Sequence, residues 1–403
     1  MNQPGMNQPG LNKQDLYQRV SDDIAQRCDT LIATSHAIFD KPELRFEEHH
    51  ASKRLSDELE AGGMSVTRGA FGIETAFVAE AGTRGPLVVI CCEYDALPSV
   101  GHACGHNIIG AAGLGAGLAV ATLAEELDGR VRVLGTPGEE GGGGKVLLGD
   151  SGAFDDADAA IMIHPADADL LSMSTLAVAI MRATWHGHSA HAAAFPHLGK
   201  NALDAAVLSY QNVAALRQHL QPGERVHGVF VDGGKMPNVV PDLAVMDWMI
   251  RTPKLRDLDA LQQRVLACFE AGAMATGCTF EHHEGGPTYA DMMDNPTMAE
   301  LFGTHAAALG RPMSDPRSGG HQVLGSTDMG NVSHRVPSIH PMLKVAPAGV
   351  SIHSHDFAVH ARSASGDKAV VDGATLMARL VVDIWTEAGL MESIKETFSN
   401  KTV

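Results

Sequence analysis

Between Cys91 and Asn107 the chain reads CCEYDALPSVGHACGHN, and no other stretch constrains the fold as tightly. An apolar run gives way to Asp95, and a small, glycine-rich apolar segment begins at Asn107, so the stretch reads as a strand-to-helix junction. Packed into it are Cys104 and His106, one glycine apart, with His102 just upstream. Thiolate and imidazole together suit zinc or a similar divalent ion, and a flanking carboxylate such as Asp95 is the usual group that orients a ligating histidine. The pattern points to a metal-dependent hydrolase. A buried thiol beside a helix-capping histidine would produce the same letters, because free cysteine is commonly a core residue. The rest of the chain decides between them.

Asn107 to Leu123, with glycines at 110, 113, 115 and 117, predicts a buried helix packed closely on a sheet, with His106 at its entrance. The next apolar run, Val131 to Leu134, predicts a strand that ends in GTPGEEGGGGK and places adjacent carboxylates, Glu139 and Glu140, at its carboxyl end. Open α/β sheets put their chemistry there. Two neighbouring acids can divide labour, one binding a metal while the other moves a proton. A phosphate-binding loop would need glycine six residues before Lys145 and Ser or Thr after it; those positions are Glu139 and Val146. The glycines instead suit a backbone passing close to a metal cluster. A third strand, Ala159 to Ile163, runs into His164, and GVSIHSHDF near the C-terminus offers His353 and His355, of which one is expected to be a ligand. Among 21 histidines any single one is more often structural, but these arrive at successive strand ends.

The formal charge of −18 argues against nucleic acid and anionic membrane partners. No stretch reaches the roughly 20 apolar residues of a membrane span, and no signal pattern opens the chain, so a cytoplasmic location is expected. Six cysteines without scaffold spacing fit a reducing compartment, with Cys91 and Cys92 as core. The twice-repeated MNQPG marks residues 1–14 as a frayed tail.

Eight segments in order resemble peptidase family M20, the di-metal aminoacylase and carboxypeptidase family, in its amidohydrolase branch. They are KPELRFEE (41–48), EYDALP (93–98), HACGHN (102–107), PGEEGGGG (137–144), HP (164–165), GHSAHAA (187–193), GSTDMGNVS (325–333) and SIHS (351–354). The resemblance implies Cys104, His106, Glu140, His164 and His353 as ligands of two divalent ions, zinc or manganese with cobalt as a further option. It implies Glu139 as general base, with His355 the lesser candidate. Asn107 stands where the branch usually has Asp, and only Ser99, Val100 and Gly101 separate DALP from HACGH. Both features resemble the subgroup of β-alanyl-lysine dipeptidases and aminobenzoyl-glutamate hydrolases.

From about Met173 the pattern changes. Strands are expected at Ala177 to Trp185, Gly228 to Asp232 and Leu243 to Arg251, a helix through Leu203 to Ala214, another through Leu258 to Leu266, and a short strand near Thr279. The expected architecture is α/β: a zinc-peptidase-like catalytic domain with a central mixed sheet flanked by helices (15–176 and 289–403), interrupted by an α+β, ferredoxin-like lid and dimerisation domain (177–288). In the family this insert forms a homodimer interface and lends a histidine to the neighbouring site; His191 matches it. Asn238 and Arg251 match substrate-contacting positions, and the fork of an arginine suits a carboxylate, although Arg251 can equally pair with Asp247 on the same strand face. The implied reaction is hydrolysis of an amide bond in a small N-acyl amino acid or dipeptide-like substrate with a free carboxylate. Two alternatives remain open: a metal-binding protein without catalysis, and an amidase using Cys104 as nucleophile.

Overall fold

The apolar run ahead of the first motif forms the strand Leu87–Cys92, buried at every residue, in a computed structural model that describes residues 12–316 and 324–400. A strand buried on both faces belongs inside a covered sheet. It lies in a six-stranded sheet of order Ser65–Arg68, Phe77–Ala81, Arg130–Gly135, Leu87–Cys92, Ala159–Ile161, Ser338–Ile339. The last four strands are mutually parallel, whereas Phe77–Ala81 runs antiparallel to both of its neighbours. The segments that follow the parallel strands therefore leave from one edge of the sheet.

The helix after the first motif spans His106–Ala121, one residue earlier than expected, so His106 itself is its first residue. It is buried on all sides, which is why its sequence has no polar face. Two of its glycines are needed for contact: a Cβ on Gly113 would lie 2.2 Å from the Cys92 sulfur, and one on Gly117 would lie 2.1 Å from Val133. Across from the sheet it packs on the helix Ala364–Thr386. The strand expected over 159–163 stops at Ile161, and a second, His164–Ala166, starts after a two-residue break. The chain changes partner there, from Leu87–Cys92 to Met342–Lys344, with His164 opposite Met342.

At the N-terminus the helix Lys13–Gln26 begins inside the segment expected as tail, capped by the Asn12 side chain accepting from Gln14 N. The rest of that tail lies outside the described residues. Tyr17 and Lys13 from this helix, and His305 from Pro296–Ala308, converge on the buried Asp383 of Ala364–Thr386; the Lys13 and His305 nitrogens lie 3.0 and 2.6 Å from its oxygens, and the Tyr17 hydroxyl donates as well.

Residues 175–292 with 324–330 form a second compact unit. Its chain order is β-α-β-β-α-β, and its antiparallel sheet runs Thr279–Glu284, Ala177–His186, Leu243–Thr252, Arg225–Asp232, the ferredoxin-like arrangement. Strand Leu243–Thr252 covers the run expected as a strand and alternates in burial. Ala244, Met246, Trp248 and Ile250 are buried with Trp185 and Phe269 beneath the helices Ala202–Leu216 and Leu258–Thr276, and Leu243, Val245, Asp247, Met249 and Arg251 face the other way.

The Asp383 cluster generates a pH prediction. Burial pushes this carboxyl up, but the hydrogen bonds from His305, Tyr17 and Lys13 outweigh it and hold it below its ordinary value. Its contribution to stability is therefore full above the unfolded pKa of about 4 and is lost as pH falls through the lower folded value. Asp383→Ala should cost about 3 kcal/mol near neutral pH, since it strands buried partners. In urea unfolding, the gap between wild type and Asp383→Ala should narrow from about pH 6 to about pH 3; a constant gap would remove the carboxylate charge from the account.

Candidate metal centre

Leu87–Cys92 delivers Asp95 to the edge where the parallel strands end, fully buried. Its two oxygens hold two chain segments: Oδ1 accepts from His106 Nδ1 at 3.0 Å, and Oδ2 accepts from Glu140 N at 2.9 Å. With Nδ1 committed, His106 Nε2 points away from Asp95, buried and with no hydrogen-bond partner. Gly105, at φ 80°, makes the turn before His106, and a Cβ there would strike Pro165 at 2.8 Å. That close approach brings Cys104 to His164, Sγ to Nε2 at 3.4 Å. His164 Nδ1 is held by the Pro165 carbonyl at 2.7 Å, so its Nε2 also presents a lone pair.

His353 reaches the same sulfur from the far end of the chain, at 3.4 Å, and lies 3.1 Å from Glu140 Oε1. Its backbone is left-handed, φ 65°, and its N–H donates to Ala103 O at 2.9 Å. Such a conformation is unfavourable for a bulky residue and is typical of functional loops. Donor groups with ligand atoms within 4.8 Å of one another result, among them Cys104, His106 and His164; Cys104, Glu140 and His353; and His106, Glu139 and Glu140. Glu139 is buried beside these ligands, and Gly138 N, just before it, donates to the buried Glu48 at 2.9 Å.

The donor set fits divalent cations. Atoms bound to one tetrahedral ion at about 2.0–2.3 Å are about 3.3–3.8 Å apart; the two contacts of the Cys104 sulfur, at 3.4 Å, fall in that range, and the His353–Glu140 contact, at 3.1 Å, lies just below it. Burial pushes the Cys104 thiol well up and holds His164 down at about 4, so the imidazole is neutral and able to ligate. Glu140 is raised by burial but held below its ordinary range by the hydrogen bond from His353 and the charges of His106 and His353. A dication would reverse the penalty on the thiol.

Of the expected donors, Cys104, His106, Glu140, His164 and His353 come together, with Asp95 behind His106. His355 is instead the exposed first residue of the helix His355–Ala361 and joins none of these groups. Asn107 is a cross-brace, its amide donating to Ser35 Oγ and Ala361 O at 2.9 and 3.0 Å. Three residues were not anticipated: Glu93, whose Oε2 lies 3.4 Å from His106 Nε2; Lys145, fully buried against Glu93; and His340, whose ring centroid is 5.4 Å from that of His164. Glu93 carried a signal, since it lies two residues before Asp95 at the end of the same strand.

His191, Asn238 and Arg251 belong to the second unit. The loop of His191 is paired with that of Asn238: Ala192 N donates to Asn238 O at 3.0 Å, and His191 Nδ1 accepts from Ala194 N at 3.2 Å. Arg251 does not pair with Asp247, which receives two hydrogen bonds of 2.7 Å from Arg182 on the adjacent strand. Its guanidinium, held below its ordinary value by burial, donates to Ser326 Oγ at 2.8 Å.

Residues 92–383 match peptidase family M20/M25/M40. The chain is 35% identical over 400 residues to the Xaa-Arg dipeptidase of Mus musculus, covering 96% of this chain and 93% of that one. It is 28% identical over 462 residues to a p-aminobenzoyl-glutamate hydrolase component of Escherichia coli (strain K12), covering 96% of each. Its fold matches the crystal structure of an aminobenzoyl-glutamate utilization protein from Klebsiella pneumoniae, with TM-score 0.73, 17% identity, and coverage of 91% of this chain and 98% of that one. It also matches a dinuclear metal binding peptidase of the M20 family from Bacillus subtilis, with TM-score 0.65, 19% identity, and coverage of 92% and 98%. With more than half of its length matched to one family, the chain belongs to peptidase family M20/M25/M40 and is a hydrolytic enzyme.

Proposed function

We propose that this protein hydrolyses the amide bond of an N-acyl amino acid or dipeptide-like substrate bearing a free carboxylate, with two divalent ions held by Cys104, His106, Glu140, His164 and His353. The observation that carries this reading is the convergence of thiol, imidazole and carboxylate donors 3.1–3.4 Å apart, with the carboxylate of Glu139 grouped beside them. When bound, such ions supply Lewis acidity that polarises an amide carbonyl and acidifies water. Glu139 takes the water's proton and returns it to the leaving amine. Asp95 keeps His106 in the tautomer whose Nε2 can ligate. Zinc suits the thiolate and imidazoles; manganese and cobalt are the alternatives.

Arg251 serves as the substrate's carboxylate anchor, a role supported by its partner being a hydroxyl and not a carboxylate. Asn238 and His191 contact the substrate and its oxyanion, His191 reaching the site of a partner subunit in a homodimer. Strand Arg225–Asp232, at one edge of its sheet with Val229, Phe230 and Val231 exposed, supports such pairing. The formal charge of −18 favours small-molecule substrates over nucleic acid or an anionic membrane, and the reading is of a cytoplasmic enzyme.

The second reading, Cys104 as nucleophile, draws on two imidazoles lying 3.4 Å from its sulfur. Burial, however, keeps that thiol protonated, and it is only 5% exposed. Hydrolysis of N-acyl amino acids, β-alanyl dipeptides and aminobenzoyl-glutamate, measured before and after chelation and with Zn²⁺ or Mn²⁺ restored, separates the readings. Metal-dependent turnover supports the two-ion enzyme; turnover that survives chelation supports the thiol; none on any substrate supports a non-catalytic metal protein.

Glu139→Gln should keep metal content and fold while lowering kcat at least ~10²-fold, and near-normal turnover would remove Glu139 from the mechanism. Cys104→Ala and His164→Ala should each lower bound metal by elemental analysis, since each deletes a donor; unchanged stoichiometry would sink the ligand assignment. Mixing inactive Glu139→Gln and His191→Ala chains should restore activity, because one site of the mixed dimer keeps Glu139 and receives an intact His191. Mixed dimers that form yet stay inactive would confine His191 to its own chain.

A further inference from the structure

We infer that Glu93 is an additional metal ligand, binding the same ion as His106 through Oε2 while the buried ammonium of Lys145 holds its other oxygen. This rests on the two-ion reading above and extends its donor set.

Three observations converge on it. Glu93 and His106 are both completely buried, and Glu93 Oε2 and His106 Nε2 are each without a hydrogen-bond partner. They nevertheless face each other at 3.4 Å. His106 Nδ1 is already given to Asp95 Oδ1 at 3.0 Å, and the other Asp95 oxygen accepts from Glu140 N, so Asp95 acts as acceptor and Nδ1 as donor. His106 Nε2 is then the ring atom left to face the Glu93 carboxylate. A hydrogen bond from an imidazolium would draw the atoms to about 2.8 Å. Two ligands on one tetrahedral ion at about 2.1 Å stand about 3.4 Å apart, the separation found.

Lys145 accounts for the orientation of the carboxylate. Its Nζ contacts Glu93 Oε1, and both side chains are essentially without exposure. Oε2 is therefore the oxygen left for His106. Burying a lysine is costly unless it is paired, so the glycine-rich loop that carries Glu139 and Glu140 is also committed to fixing Glu93. Lys145 acts as a positioning residue.

The test is metal binding. Full-length protein stripped by chelation is titrated with Zn²⁺ against a chromophoric chelator, for wild type, Cys104→Ser, Glu93→Gln and the double variant Glu93→Gln/Lys145→Met. The double variant removes the ion pair as a unit, so it carries the test if the single variant is unstable through an unpaired lysine; thermal melts check both. Both Glu93 variants should bind one ion normally and the other more than ~10²-fold more weakly, beyond the ~10–100-fold cost of losing an outer hydrogen-bonding partner. A smaller loss in the double variant, or recovery of wild-type affinity when Lys145→Met is added, overturns the proposal and leaves Glu93 as the partner of Lys145. If Cys104→Ser loses metal while the Glu93 variants retain both ions, the two-ion reading stands and only the role of Glu93 falls. A wild type that binds no Zn²⁺ fails the two-ion reading itself.

Discussion

The carboxylate of Asp95 is the joint on which the centre depends. One oxygen fixes the imidazole at the start of a fully buried helix, and the other fixes the backbone of a glycine-rich loop that would otherwise be free to move. Burial alone would push this carboxyl up, yet the charge and hydrogen bond of His106 and the N–H of Glu140 hold it below its ordinary range. A single buried anion thus sets ring orientation, tautomer and loop position together. Charge-assisted hydrogen bonds of this kind are roughly twice as strong as neutral ones, and the one to Glu140 N joins segments 45 residues apart.

Much of this was legible in the sequence where local pattern and tertiary role coincide. The alternation in Leu243–Arg251 puts Met246 and Trp248 on one face and Asp247 and Arg251 on the other, because a strand has a period of two, and the structure buries the first face. The ligands at strand ends were legible because parallel strands deliver their following segments to one edge. The partner of Arg251 was not. Residues two apart on a strand are about 6.6 Å apart, whereas directly opposed residues on paired strands are about 4.5–5.5 Å apart. Asp247 lies directly opposite Arg182 and is taken by it.

Residue pattern alone does not choose between two histidines spaced two residues apart; the family resemblance favours His353, and the folded loop, left-handed at that residue, sets its ring beside Cys104 and Glu140. Lys145 and His340 stayed hidden for a related reason. A lysine in a glycine run reads as solvated, and its complete burial follows from Glu93 waiting at the end of another strand. The break at residues 162–163 was invisible because Met162 and Ile163 continue the apolar run of the strand, and the change of partner strand is a property of the sheet.

The left-handed backbone of His353 has a consequence for how the chain senses its own centre. Its side chain is about half exposed, at 49%, and its main chain is tied to Ala103, immediately before Cys104. The loop is thus held in a costly geometry, and a cation held jointly with Cys104 and Glu140 would add to the contacts its ring already makes with them. Occupancy and loop order then become two readings of one equilibrium: a bound ion favours the ordered loop, and an ordered loop raises affinity by the same factor. A surface segment more than two hundred residues from Cys104 in sequence would report, through its resistance to proteolysis, whether the centre is filled.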